Sequence, residues 1–128
     1  MECDLWEWNE YDSKDIKNWK EFENYCAELL INNGYIDVRT TGHKDHGVDI
    51  LAEKNGVKYA FQCKFRSSKT VKLSNSTVQE IFTGTALYKA DVGVIISNTG
   101  LTRQAHKEAS MLGVKIWSED YLRLLSDN

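Results

Sequence analysis

Asn55-Gly56 constrains this chain more than any other pair of its residues. The dipeptide readily supplies the two positive-φ positions of a type I′ turn, and it stands between two alternating apolar runs. The stretch Gly47 to Lys64, GVDILAEKNGVKYAFQCK, is therefore expected to fold as a β-hairpin. A two-residue loop sets the register. Lys54 then faces Val57, Glu53 faces Lys58, Ala52 faces Tyr59, Leu51 faces Ala60, Ile50 faces Phe61, Asp49 faces Gln62 and Val48 faces Cys63. Side chains alternate along a strand, so one face would carry Val48, Ile50 and Ala52 against Cys63, Phe61 and Tyr59, and that face is the core. The other face sets Asp49 opposite Gln62 with Cβ atoms about 5 Å apart, and Lys64 follows on the same side. A one-residue slip would turn the whole apolar set outward, so burial of one face specifies the register.

The remaining elements follow in order. Ile16, Trp19, Phe22, Cys26, Leu29 and Leu30 recur at helical spacing between a cap at Asp12 or Ser13 and a stop at Gly34. Glu23 falls within that apolar stripe, where an unpaired charge is costly to bury. Either it lies at the stripe's edge and reaches water, or it points at a cation, Lys64 or a metal. Tyr35 to Thr40 is expected as a strand, and Thr41 to Gly47 as a loop into the hairpin. A helix capped by Ser74 or Ser76 runs to about Tyr88, with Val78, Ile81, Phe82, Thr85 and Leu87 available for packing. Asp91 to Ser97 is a strand apolar enough to be buried on both faces. Thr102 to Leu112 is a helix ended by Gly113, Val114 to Trp117 a short strand, and Ser118 to Leu125 a last helix. The order α-β-β-β-α-β-α-β-α implies a three-layer α/β/α domain. Its central sheet is mixed, because the hairpin is antiparallel while helical crossovers join the later strands.

A chain of 128 residues, 41% hydrophobic and 27% charged, is expected to be one domain spanning 15–128 behind an acidic, aromatic arm at 1–14. Trp6, Trp8 and Tyr11 would pack that arm over the domain, or its acids would lie across a basic surface in place of phosphates. No apolar run approaches a membrane span and the N-terminus is acidic, so a cytoplasmic, membrane-free protein is the expectation. The three cysteines, at 3, 26 and 63, lack metal-ligand spacing, and Cys26 and Cys63 fit small core residues in a reducing compartment. A net charge of −3 argues against a general nucleic-acid binder. The charge is uneven, however. Residues 1–37 hold three lysines against ten acids, whereas residues 38–72 hold eight Lys or Arg against three. That basic block surrounds the hairpin and would attract a polyanion. Within it, His43, Asp45 and His46 lack a fourth ligand for a metal, so Lys44 and His46 are expected in a solvated loop near a phosphate path. Arg66, Lys69 and Lys72 lie in RSSKTVK, which suits phosphate contacts or an ordinary exposed connector equally.

Asp49, Gln62 and Lys64 on one face, with Glu23 from a helix packed on the sheet, offer what a hard divalent cation takes: a carboxylate, a neutral amide oxygen and room for phosphate. Lys64 would orient or deprotonate an attacking water and offset charge in the transition state. The implied chemistry is phosphodiester hydrolysis.

Gly47-Val48-Asp49-Ile50 followed by Gln62-Cys63-Lys64 resembles the core of the Mrr-like restriction endonucleases, a branch of the PD-(D/E)xK nucleases in which Gln-x-Lys replaces acid-x-Lys. Phe22-Glu23, Leu29-Leu30, Gly34-Tyr35 and Thr40-Thr41-Gly42 resemble that family's first helix and its approach to the hairpin. Ala90-Asp91 through Ile95, Thr102 with Ala105, and Gly113 through Trp117 extend the similarity over about residues 20–122. The resemblance implies a restriction-endonuclease-like fold and a DNA endonuclease dependent on Mg²⁺ or Mn²⁺, serving defence or restriction. Asp49, Gln62 and the Cys63 backbone carbonyl would hold the metal, Lys64 would be the catalytic lysine, and Glu23 the helix acid completing the site. A homodimer is implied if both strands are cut. The family's restriction enzymes usually add a separate target-recognition domain, and none is read in this sequence. The chain would then be a stand-alone nuclease, an effector domain of a longer protein, or a nuclease whose recognition lies in a sensor domain or subunit outside it. Two other readings stay open: a structure-specific or single-strand nuclease such as a Holliday-junction resolvase, and an inactive nuclease fold serving as a nucleic-acid-binding or scaffold module.

Overall fold

The computed structural model describes residues 16–41, 47–66, 68 and 70–127. The expected arm at 1–14 with its caps at Asp12 or Ser13, the loop residues His43, Lys44, Asp45 and His46, and Lys69 lie outside the described residues.

The elements are α1 (Ile16–Asn32), β1 (Ile36–Thr40), β2 (Ile50–Lys54), β3 (Val57–Lys64), α2 (Asn75–Leu87), β4 (Val92–Ser97), α3 (Arg103–Leu112), β5 (Lys115–Trp117) and α4 (Glu119–Ser126). They form a five-stranded sheet in the order β1-β2-β3-β4-β5. The first two pairings are antiparallel and the last two parallel. Asn55 and Gly56 have φ of 54° and 80°, as a primed turn requires, and the hairpin pairs Lys54 with Val57 through to Ile50 with Phe61. Parallel pairing of β3 with β4, and of β4 with β5, obliges α2 and α3 to cross over the sheet.

Two apolar cores, one on each face, make the three layers. On one face Phe22, Cys26, Leu29 and Leu30 of α1 and Leu122 of α4 pack against Ile50, Ala52, Phe61, Cys63, Val94, Ile96 and Trp117. Phe61 is fully buried with its ring 5.2 Å from Trp117, and a phenyl group so placed contributes about 1.5–3 kcal/mol. On the other face Val78 and Ile81 of α2 and Ala105 and Ala109 of α3 cover Val48, Ala60 and Ile95. Strand β4 contributes to both cores, as its apolar run requires.

Three details of packing and capping depart from the sequence expectation. Val48 packs in the α2-side core instead of beside Ile50, so strict alternation ends at Asp49. On α2 the buried residues are Thr77, Val78, Ile81, Gly84 and Thr85, while Phe82 and Leu87, expected to pack, are exposed. The stripe is rotated because the small Gly84 and the back-bonded Thr85, whose hydroxyl donates to the Ile81 carbonyl at 2.6 Å, admit the sheet more closely than larger side chains would. Ser74 is the N-cap of α2 but makes no side-chain capping bond, whereas Thr102 accepts from Ala105 N–H and caps α3. Among the described residues, no helix is long and apolar enough to cross a membrane.

Candidate active site

The start of the hairpin is shaped around Asp49. Its N–H donates to the Phe61 carbonyl at 2.7 Å, although the Cα partner of Phe61 is Ile50. Two residues of the incoming chain thus meet one of β3, which is the geometry of a bulge, and a bulge re-aims the side chain beside it. The expected side-by-side pairing of Asp49 with Gln62 is accordingly replaced. Asp49 Oδ2 instead accepts the Cys63 N–H at 2.8 Å, and the Asp49 carbonyl accepts Thr41 N–H at 2.9 Å. The Thr41 hydroxyl donates to the Val48 carbonyl and completes the clamp on this segment.

Asp49, Gln62, Cys63 and Lys64 nevertheless line one cleft of about 230 Å³, together with Trp19, Gly47, Arg66 and Glu80. Alternation along β3 sets Gln62 and Lys64 on the Ala60 side, beneath α2, and the thiol of Cys63 on the opposite side in the α1 core. Cys63 therefore contributes main chain to the cleft. Gln62 is 2% exposed; its Nε2 donates to Glu80 Oε1 at 3.0 Å. Its Oε1 is buried and, among the described residues, has no hydrogen-bond partner. Lys64 Nζ lies 4.0 Å from Glu80 Oε1, so the ion partner of this lysine is Glu80 rather than Asp49. Gly47 closes the cleft wall with φ of 77°; a Cβ there would stand 2.8 Å from Gln62 Nε2 and 3.1 Å from Glu80 Cβ.

Glu23 is 1% exposed, which rules out the alternative that it reaches water at the edge of the α1 stripe. It is not among the residues lining the cleft. Its Oε1 lies 3.7 Å from Lys20 Nζ, one turn earlier on the helix. A side-chain hydrogen bond with Cys26 and burial hold the Cys63 thiol well above the ordinary thiol range, and the charges of Cys26, Asp49 and Glu23 add to the rise. Cys26 and Cys63 are buried core residues, as expected.

Of the basic residues expected to meet phosphate, Arg66 lines the cleft. Its backbone is held in both directions by Asn98, which accepts Arg66 N–H at 2.9 Å and donates to its carbonyl at 2.8 Å. Lys72 is exposed and stands away from the cleft lining. Glu80 and Trp19 were not singled out from the sequence as site residues. The only signal for Glu80 is its position at the border of the true α2 stripe, which becomes visible once Thr77 and Gly84 count as packing residues.

The donor set fits a hard divalent cation. Asp49 offers a carboxylate oriented by a main-chain N–H, and Gln62 offers a buried amide oxygen that no described residue satisfies. Among the described residues no three His, Cys, Asp or Glu side chains gather into a metal-holding group, because half of this set is neutral oxygen.

A family model described as restriction endonuclease matches residues 15–125. No curated protein matches the chain. Among solved structures, a protein of unknown function, AF1548, is similar with a TM-score of 0.70 and 20% identity over 82% of this chain and 63% of that one. The DNA modification-dependent restriction endonuclease AspBHI is similar with a TM-score of 0.62 and 17% identity, covering 85% of this chain and 32% of its own. The MspJI restriction endonuclease, solved with a 27-mer oligonucleotide, is similar with a TM-score of 0.62 and 18% identity, covering 81% and 26%. At these identities the likeness is one of fold. The chain spans less than two thirds of each of these structures.

Proposed function

Since the chain belongs to the Mrr-type restriction endonuclease family, we propose that it is a Mg²⁺- or Mn²⁺-dependent endonuclease that hydrolyses DNA phosphodiester bonds in restriction or defence. The observation that carries this reading is the cleft lined by Asp49, Gln62 and Lys64, where no described residue satisfies the Gln62 amide oxygen. Asp49, Gln62 and the main chain at Cys63 would hold the metal, which when bound supplies Lewis acidity toward the scissile phosphate. The Cys63 N–H fixes Asp49 in one orientation, so little reorganisation is needed as charge develops. Lys64, with its side chain 27% exposed, orients the attacking water and offsets negative charge on the phosphate. Arg66 at the cleft rim, and Lys72 beyond it, position the DNA backbone. Glu23, buried on α1, would be the helix acid that completes the site. Homodimerisation and a separate recognition subunit belong to the same proposal.

The test is cleavage of supercoiled, linear, branched and single-stranded DNA with and without Mg²⁺ or Mn²⁺. Asp49→Ala and Lys64→Ala should each lower cleavage at least ~100-fold, the scale of losing one electrostatic group from a site of this kind, with circular dichroism unchanged. Undiminished cleavage in chelator, or full activity in both variants, would refute the reading. Preference for branched or single-stranded substrates would point to a structure-specific enzyme.

A further inference from the structure

We propose that Glu80 is a positioning residue that selects which atom of the Gln62 amide faces the cleft. The inference rests on the metal-site reading above. A carboxamide offers a donor at one end and an acceptor at the other, and the two ends have nearly the same shape, so burial alone does not choose between them. A carboxylate has only acceptors. Glu80 Oε1 stands 3.0 Å from Gln62 Nε2, and turning the amide over would bring oxygen against oxygen. Gln62 is therefore held with Oε1 as the atom that no described residue satisfies, the one that suits a cation.

Neighbouring structure makes the selection firm. The main chain at Gly47 walls the amide on one side, so closely that a Cβ there would lie 2.8 Å from Gln62 Nε2. The backbone of Glu80 is fixed by the fully buried Val78 and Ile81, which flank it along α2. Asn75 and Gln79 tie the same helix to Glu108 of α3 at 3.3 and 3.1 Å. The same Glu80 oxygen lies 4.0 Å from Lys64 Nζ, so one carboxylate on α2 sets both the amide and the lysine of β3.

Three variants separate orientation from charge. Glu80→Gln keeps the reach but offers either a donor or an acceptor. Glu80→Asp keeps the charge but is one methylene too short. Gln62→Glu makes the two ends equivalent but sets a second carboxylate against Glu80, a repulsion that Glu80→Gln relieves by offering its own amide donor. Isothermal titration with MnCl₂ should show roughly tenfold weaker binding for both Glu80→Gln and Glu80→Asp, the scale on which groups behind a metal ligand act. In the Gln62→Glu background the step Glu80→Gln should cause no loss of affinity, since the exchanged pair restores a donor-to-acceptor contact and a coupled pair is non-additive. In wild type, NMR should show the Gln62 side-chain amide protons slowed in exchange without any metal, and Glu80→Asp should release them. Wild-type affinity in Glu80→Asp, equal losses in both backgrounds, or unchanged amide exchange would each overturn the inference. A wild-type protein that binds no Mn²⁺ overturns the metal-site reading and the inference with it. Wild-type binding with unaffected Glu80 variants overturns the inference alone.

Discussion

Gly47 shows how narrowly single residues set this site. Its φ of 77° is a left-handed value that an L side chain adopts at a cost of about 1–2 kcal/mol. A methyl group there would also meet Gln62 Nε2 at 2.8 Å and the Cβ and backbone carbon of Glu80 at 3.1 and 3.4 Å. The helix cannot yield, so the amide must. Gly47→Ala is therefore expected to lower urea stability by about 1–3 kcal/mol and to cut cleavage on the order of 100-fold, the loss that follows a displacement of about 1 Å. Stability loss with a wild-type rate in the folded protein would show that the Gly47 wall does not hold the amide. At this scale the sequence was partly legible. That Asp49, Gln62 and Lys64 meet at one end of the hairpin could be read because turn chemistry and alternation are local rules. Glu80 could not, because its meeting with Gln62 depends on how far α2 crosses over β3, which no spacing along the chain encodes. The pairing of Asp49 with Gln62 failed for a related reason: the rule of alternation holds only while the ladder continues, and the bulge at Asp49 ends it.

Among elements, the hairpin register followed from two residues, and each expected helix and strand is present within a residue or two of its expected ends where described. What binds those elements together is less visible in sequence. Tyr35, just after α1, places its ring 5.4 Å from Tyr59, 6.0 Å from Phe61 and 6.3 Å from Trp117, all edge-on, and Lys54 Nζ lies 5.0 Å from its centroid. Burial, and then the charges of Tyr59 and Tyr121, push its pKa up to about 12 from 10.0. The phenolate is thus disfavoured in the folded state relative to the unfolded chain. The stability linked to this group is fully present below pH 10 and is lost as pH rises toward 12. Tyr35→Phe keeps the ring and removes the titration. Its urea stability relative to wild type should be constant up to about pH 9 and should then improve steadily. A difference that stays flat to pH 11.5 would mean that Tyr35 ionises as easily in the folded protein as in the unfolded chain.

The whole molecule places the cleft where sheet topology brings opposite strand ends together. Lys64 closes β3 beside Ser97, the last residue of the parallel β4, so the site lies at the carboxyl end of the parallel strands, a usual position for ligands in open α/β sheets. Because β2 runs antiparallel to β3, the chain entering β2 reaches the same end, and Asp49 is delivered there by the hairpin itself. Of the proposed metal ligands, Asp49 thus comes from one side of the turn and Gln62 and Cys63 from the other, while Glu80 and Trp19 arrive from helices on opposite faces. A cation held by this arrangement binds only the folded chain, since unfolding separates α2 from the hairpin and parts Asp49 from Cys63 N–H. Binding to the native state alone stabilises by about 2.7 kcal/mol at one hundred times the dissociation constant. For a domain of this size that is a rise in melting temperature on the order of 10 °C. Asp49→Asn keeps an acceptor for Cys63 N–H, so its apo melting temperature should stay within about 4 °C of wild type, while the loss of charge removes most of the metal-induced rise. Calorimetric scans with MnCl₂ and with chelator measure both quantities, and an equal rise in wild type and Asp49→Asn would place the cation elsewhere on the molecule.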